Sequence, residues 1–309
     1  MSINTDFYEY PKPAGYIQAA DGTTLAYFEY GTENEGVPIF ILNGFSCCQP
    51  NLKHLIDGLT TKYRVITYDY KGHGLSQNPQ DMQHINFEGF IDDAQRVLQA
   101  TKTERAIFIG YSMGAQLMLE YGFQNPSVPV AMISLMGTMG RVFDNFLNTD
   151  ILARGIPYLY WGLENFSDAY QTVWNLIMKT PFELRFRASS RIFIDGPNCD
   201  PEDIRPFLDQ LAHLDVRLLV QMAYEMHNHS TLNYLSRIET PALFLAGEHD
   251  LFAPLRCSEE ATELMPNAEL VVIPGGSHNA NLERHEFITE ETHKFLDKTL
   301  SNKTVAGSA

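Results

Sequence analysis

Three residue types, met in order along the chain, have the chemistry to break an acyl bond: a serine at a glycine-flanked turn, a loop carboxylate and a loop histidine. Gly110-Tyr111-Ser112-Met113-Gly114 interrupts an apolar run over 106–109, and a helix-favouring segment, 115–121, begins at once. A strand turning sharply into a helix at G-x-S-x-G exposes a nucleophilic serine at the tip. Glycines at 110 and 114 remove side chains that would collide as the chain doubles back. The alternative is a glycine-serine turn with no chemistry, and the strand-before-helix context speaks against it.

A serine hydroxyl is too weakly acidic to attack an ester at neutral pH unless a base takes its proton and a carboxylate orients that base. Asp250 closes Gly247-Glu248-His249-Asp250 directly after the apolar run 241–246, and His278 closes Pro274-Gly275-Gly276-Ser277-His278 directly after the run 268–273. The order Ser112, Asp250, His278 is the one expected for this elbow. Of the ten histidines, His278 is set apart by its place in a glycine-rich loop; His227, His229, His249 and His285 are the rivals considered. Glu248 and Asp144 are the alternative acids. An oxyanion formed on attack needs two backbone N–H donors, expected at Met113, the residue after the serine, and at Phe45, after the turn at Gly44. Cys47 and Cys48, just beyond, read as small buried packing residues.

These loops must be held by alternating strands and helices. A hairpin is expected over 16–31 around Asp21-Gly22, strands over 38–42, 63–70 and 128–136, and helices over 51–59 and 87–101. The last has apolar residues at 87, 90, 91, 94, 97 and 98, which is helical spacing. Such alternation implies right-handed crossovers and a mostly parallel sheet. It fails from about 137 to about 236, a stretch with both tryptophans, where helices are expected over 156–163, 169–178, 181–194 and 204–224. Alternation then resumes, ending in a helix over about 283–300. The organisation expected is a core of residues 1–136 and 237–309 with a helical cap, 137–236, inserted.

With 309 residues, 44% of them hydrophobic, the chain exceeds a single ordinary core. A net charge of -16 would repel nucleic acid and anionic membrane. No apolar run approaches a membrane span, and MSINTDFYEYPKP has neither a basic region nor an apolar core, so a cytoplasmic location is expected. Cys47, Cys48, Cys199 and Cys257 fit neither a zinc site nor a disulfide framework. Residues 301–309 read as a frayed polar tail.

The elbow at Ser112, the Asn43-Gly44-Phe45 loop, the run Asp69-x-Lys71-Gly72-x-Gly74-x-Ser76, Asp250 and His278 together resemble the α/β-hydrolase fold family, in its cap-bearing serine esterase, lipase and lactonase branch. The resemblance covers about residues 16–300 and is weakest between 137 and 236. It implies an eight-stranded, mostly parallel sheet with helices on both faces and an inserted helical cap. Three departures stand out: Asn43-Gly44 where many relatives carry His-Gly, Lys71 where they carry Arg, and Ala115 in place of a third glycine. A serine at 112 speaks against the dehalogenase and epoxide hydrolase relatives, which use Asp there.

The function expected is hydrolysis of small carboxylic esters with an apolar acyl or alkyl group through an acyl-enzyme on Ser112, with no metal or cofactor implied. Alternatives are a thioesterase or lactonase, a cofactor-free perhydrolase or lyase, and a slow-turnover ligand sensor. The pocket is expected to involve Asn43, Tyr111, Phe143, Phe146, Trp161 and Trp174, although cap aromatics at helical spacing also serve as the cap's own core. Lys179, Arg185, Arg187 and Arg191 form a basic cluster, read either as a solvated helix face or as a dock for an acyl carrier at Arg187 and Arg191. Oligomeric state is left open.

Overall fold

The computed structural model describes residues 10–144 and 146–306. Eight strands form one sheet: β1 (Gly15–Gln18), β2 (Thr24–Tyr30), β3 (Ile39–Leu42), β4 (Val65–Tyr68), β5 (Ala106–Tyr111), β6 (Pro129–Leu135), β7 (Ala242–Gly247) and β8 (Ala268–Ile273). Their spatial order is β1-β2-β4-β3-β5-β6-β7-β8. β1 pairs antiparallel with β2, and β2 with β4; every later pairing is parallel.

The apolar runs become strands for a physical reason. A parallel strand between two helical layers is buried on both faces, so it needs no polar alternation. In β3, Ile39 and Ile41 pack with Leu55 and Ile56 of α1 (Lys53–Leu59) and with Ile288 and Leu296 of α10 (His285–Ala306). Phe40 and Leu42 point the other way, into a core shared with Phe90 and Ala94 of α2 (Phe87–Ala100) and Leu117 of α3 (Met113–Gln124). The edge strand β1 instead alternates between half-buried and exposed. Asn86 caps α2, its Oδ1 accepting the Gly89 N–H at 2.7 Å, as an N-cap side chain should.

Between β6 and β7 the described residues contain no strand. Four helices fill this stretch: α4 (Ile151–Met178), α5 (Phe182–Ser189), α6 (Pro201–His213) and α7 (Val216–Asn228). Three expectations are corrected here. Segments 156–163 and 169–178 are one element, α4, because the polar stretch between them only kinks the helix, at Phe166 (φ -140°, ψ 39°). The single helix expected over 204–224 breaks at Leu214, and Asp215 starts a new one by accepting the Arg217 N–H at 2.8 Å. The helix expected over 181–194 stops at Ser189.

After β7 come α8 (Leu255–Leu264), β8, a short α9 (Ala280–Glu283) and α10. The last helix continues through Ala306, beyond the expected start of a polar tail; residues 307–309 lie outside the described residues. No helix among the described residues is long and apolar enough to cross a membrane.

Candidate active site

The turn from β5 into α3 leaves little freedom. Ser112 has φ 51° and ψ -115°, a backbone region L-residues rarely occupy. A Cβ on Gly114 would lie 2.1 Å from the Leu42 carbonyl oxygen, so only glycine lets α3 start this close to the end of β3. The strain aims Ser112 out of the sheet, where its Oγ is 2.9 Å from His278 Nε2. His278 Nδ1 is 2.8 Å from Asp250 Oδ2, and the Asp250 side chain is fully buried. The other oxygen, Asp250 Oδ1, accepts the backbone N–H groups of Phe252 (2.7 Å) and Ala253 (2.9 Å). Both carboxylate oxygens are thereby occupied, which fixes the acid while leaving one oxygen for the imidazole.

The alternatives lie elsewhere. Glu248 accepts the Gly275 N–H at 2.8 Å and so ties the two loops together from outside. Asp144 sits 3.9 Å from Arg141 with a half-exposed side chain. His285 stacks on His54, His227 contacts Arg141, His229 contacts Glu120, and His249 is exposed.

Met113 opens α3, so its N–H has no preceding turn to accept it. The Phe45 N–H donates to no group among the described residues. A Cβ on Gly44 would meet the Tyr111 ring at 3.0 Å, which explains the glycine before Phe45. Phe45 lines the cavity at Ser112, and Met113 is the next residue along the chain from the serine. Burial pushes the Cys47 thiol up to about 12, which keeps it neutral, and its Sγ contacts the Phe45 carbonyl oxygen at 3.5 Å.

A cavity of about 190 Å³ lies over Ser112, with Phe143, Phe193, Phe207, Leu211 and Phe252 as its apolar walls. Of the residues named for the pocket, Tyr111 and Phe143 line this cavity. The other expected lining residues do not. Asn43 is buried beneath the loop and its carbonyl oxygen accepts the Tyr70 hydroxyl at 2.8 Å. Phe146 packs behind the wall, edge-on to Phe252 with centroids 4.3 Å apart. Trp161 is 60% exposed on the outer side of α4. Trp174 lines a second, larger cavity of about 600 Å³ between α4 and α7. Helical periodicity identifies apolar positions but not which flank of a long exposed helix turns inward.

The histidine loop is held by Tyr111 and by two residues not singled out in the sequence, Asn279 and Glu283. The Tyr111 hydroxyl donates to the His278 carbonyl or to Asn279 Oδ1, each 3.2 Å away. Asn279 Nδ2 donates to the Phe193 carbonyl at 2.8 Å. Glu283, raised by burial above its usual value, accepts the Ser277 hydroxyl at 2.5 Å and the Asp195 N–H at 2.7 Å. The only signal for Asn279 in the sequence is adjacency to His278.

Two features noted in the sequence, Lys71 and the basic cluster, acquire partners in the structure. Lys71 is 1% exposed, with Nζ 3.1 Å from Asp93 Oδ2 and 3.5 Å from Asp21 Oδ1, so it bridges two buried carboxylates. Of the basic cluster, Arg185 turns inward to the Leu208 carbonyl (2.6 Å) and Asp209 (3.2 Å). Arg187 and Arg191 remain exposed.

Comparison with known proteins agrees with the fold. A bifunctional esterase/perhydrolase of Acinetobacter calcoaceticus is 24% identical over 297 residues, 91% of this chain and 99% of the relative. The magnesium-chelatase 30 kDa subunit of Rhodobacter capsulatus is 24% identical over 250 residues, covering 78% and 81%. The enol-lactonase of Burkholderia xenovorans superposes with a TM-score of 0.72 at 20% identity, over 92% of this chain and all of that one (100%). The family described as serine aminopeptidase, S33, matches residues 37–285. With that match spanning most of the chain, and an eight-stranded sheet in the order given above, the protein belongs to this hydrolase family within the α/β-hydrolase fold.

Proposed function

We propose that the protein is a serine hydrolase of carboxylic esters, with Ser112 as nucleophile, His278 as general base and acid, and Asp250 as the group that orients the imidazole. The observation that carries this reading is the unbroken hydrogen-bonded line Ser112 Oγ, His278 Nε2, His278 Nδ1, Asp250 Oδ2, at 2.9 and 2.8 Å. His278 takes the serine proton as Oγ adds to the ester carbonyl. The oxyanion is received by the Phe45 and Met113 amides, each such donor being worth roughly 3–4 kcal/mol of barrier. The tetrahedral adduct collapses, the alcohol leaves with the proton from His278, and water, deprotonated by the same imidazole, releases the acid. Residues 137–236 act as a cap in this reading, since Phe143, Phe193, Phe207 and Leu211 wall the cavity over Ser112.

Replacing Ser112 by Ala tests it. Turnover of p-nitrophenyl acetate should fall by about a millionfold, to the level left by binding alone. Covalent labelling by a fluorophosphonate should vanish, and persistence of either would refute the assignment.

A second reading is favoured by the Acinetobacter calcoaceticus relative, whose name joins esterase to perhydrolase. Hydrogen peroxide would then replace water in attacking the acyl-enzyme, giving a peracid and free Ser112. Bromide oxidation that requires both peroxide and a carboxylic ester, and disappears in Ser112→Ala, would mark this activity.

A further inference from the structure

The cavity over Ser112, at about 190 Å³, is too small for a large apolar group, and a second cavity adjoins it. Phe45 and Leu211 line both it and the cavity of about 600 Å³ between α4 and α7, so these two side chains form the wall between the spaces. The larger chamber is walled by residues such as Ile156, Val173, Leu219, Val220 and Ala223, and among the described residues no charged one lines it. A chamber of this size lies within the range of small-molecule sites. A charged or strongly hydrated group would lose its solvation there without replacement, whereas an alkyl chain would gain by leaving water.

Its outer wall supports the same occupant. Leu159, Val173 and Ile177 of α4 line the chamber and are nonetheless 43%, 56% and 50% exposed. The chamber therefore opens along α4, and a chain too long for it would continue along an apolar flank.

We propose that the chamber is the seat of a long, unbranched alkyl chain of the substrate. The ester carbonyl sits at Ser112 and the chain passes between Phe45 and Leu211 into the space beneath α4. This rests on the ester-hydrolase reading and adds a substrate class to it: esters with a long aliphatic tail rather than compact or charged ones. Leu211 and Ala223 become specificity-determining positions, Leu211 as the gate and Ala223 as part of the chamber wall.

Two ester series test the proposal, p-nitrophenyl esters from acetate to decanoate and acetates of alcohols from ethanol to decanol. In one series kcat/KM should rise about fourfold for each methylene that enters the chamber, which corresponds to ~0.8 kcal/mol per buried CH₂. The series that rises identifies whether the tail is the acyl or the alcohol part. Ala223→Phe, which fills the chamber, should lower the long-to-short ratio of kcat/KM at least tenfold; Val220→Thr, which keeps shape but adds a hydroxyl, should lower it less. A binding measurement separates this from catalysis. With Trp161→Phe, Trp174 is the remaining one of two tryptophans, and decanoate should change its fluorescence with saturation, an effect weakened by Ala223→Phe. Flat chain-length profiles in both series, with acetate esters still cleaved, would overturn the chamber and leave the hydrolase reading standing. Absence of turnover on every ester, with saturable decanoate binding intact, would overturn the hydrolase reading and leave the chamber.

Discussion

Tyr111 and His278 are joined across the site: the phenol of the residue preceding Ser112 reaches the backbone carbonyl of the histidine at 3.2 Å. The ring of Tyr111 also fills the place that a Cβ on Gly44 would need. One side chain therefore sets the spacing among the serine turn, the histidine loop and the Phe45 loop. Tyr111→Phe keeps the ring and removes the hydroxyl. It should lower kcat about fivefold with little change in KM, the equivalent of one ordinary hydrogen bond of ~1 kcal/mol. Steady-state kinetics on a short ester checks this split.

Asp250→Asn should fold normally, because an amide oxygen can still accept the N–H groups of Phe252 and Ala253. The amide NH₂ would then face His278 Nδ1 and favour the wrong imidazole tautomer. A fall in kcat of about 10⁴ is expected, with thermal unfolding little altered. Loss of folding together with activity would show that the carboxylate is chiefly structural.

Lys71 lies between Asp93 and Asp21 with almost no exposure. Burial is the main reason Asp93 is pushed up to about 6, and the lysine ammonium opposes that shift. Removing the cation alone, as in Lys71→Met, leaves the buried Asp93 carboxylate without its counter-charge, while Asp21 keeps its hydrogen bonds from Thr23, and should cost about 3–5 kcal/mol in urea unfolding. Adding Asp93→Leu to Lys71→Met should recover part of that loss, since the unpaired charge goes with it.

Glu120 on α3 is held at about 2, well below its ordinary 4.5, chiefly by the hydrogen bond from His229, with the Tyr234 hydroxyl assisting. A carboxyl whose folded value is depressed stabilises the protein fully above 4.5, and that stability is lost as pH falls from 4.5 through 2. The difference in unfolding free energy between the native chain and Glu120→Gln should therefore shrink as pH falls below 4.5. Urea titrations at a series of pH values read this directly, and a difference that grows on acidification would reverse the assignment.

The sheet and the line of Ser112, His278 and Asp250 were legible because doubly covered strands leave continuous apolar runs and the loops after them are punctuated by glycine. At positions 112, 250 and 278 a local rule coincides with the topology, so sequence position alone placed the residues near one another. The stretch between β6 and β7 was not legible in the same way. Trp161 and Trp174 look alike in a periodic pattern, yet one is 60% exposed and the other lines the larger cavity. Which flank of α4 turns inward is set by α7, whose start at Val216 depends on the cap at Asp215. Glu283 and Asn279 carry no local signature because their partners, Asp195 and Phe193, are more than eighty residues away in the chain.

The backbone at Ser112 carries one more consequence. A positive φ of 51° with ψ -115° is easy for glycine and costs other residues of order 1–3 kcal/mol. Ser112→Gly should therefore melt at a higher temperature than the native chain while being inert toward esters. A population of variants sorted for thermal endurance alone would drift to glycine at this position, and one sorted for turnover would return to serine. Beyond its contact with His278 Nε2, the oxygen at 112 serves only the proposed attack on the ester, so the two selections would pull this position in opposite directions.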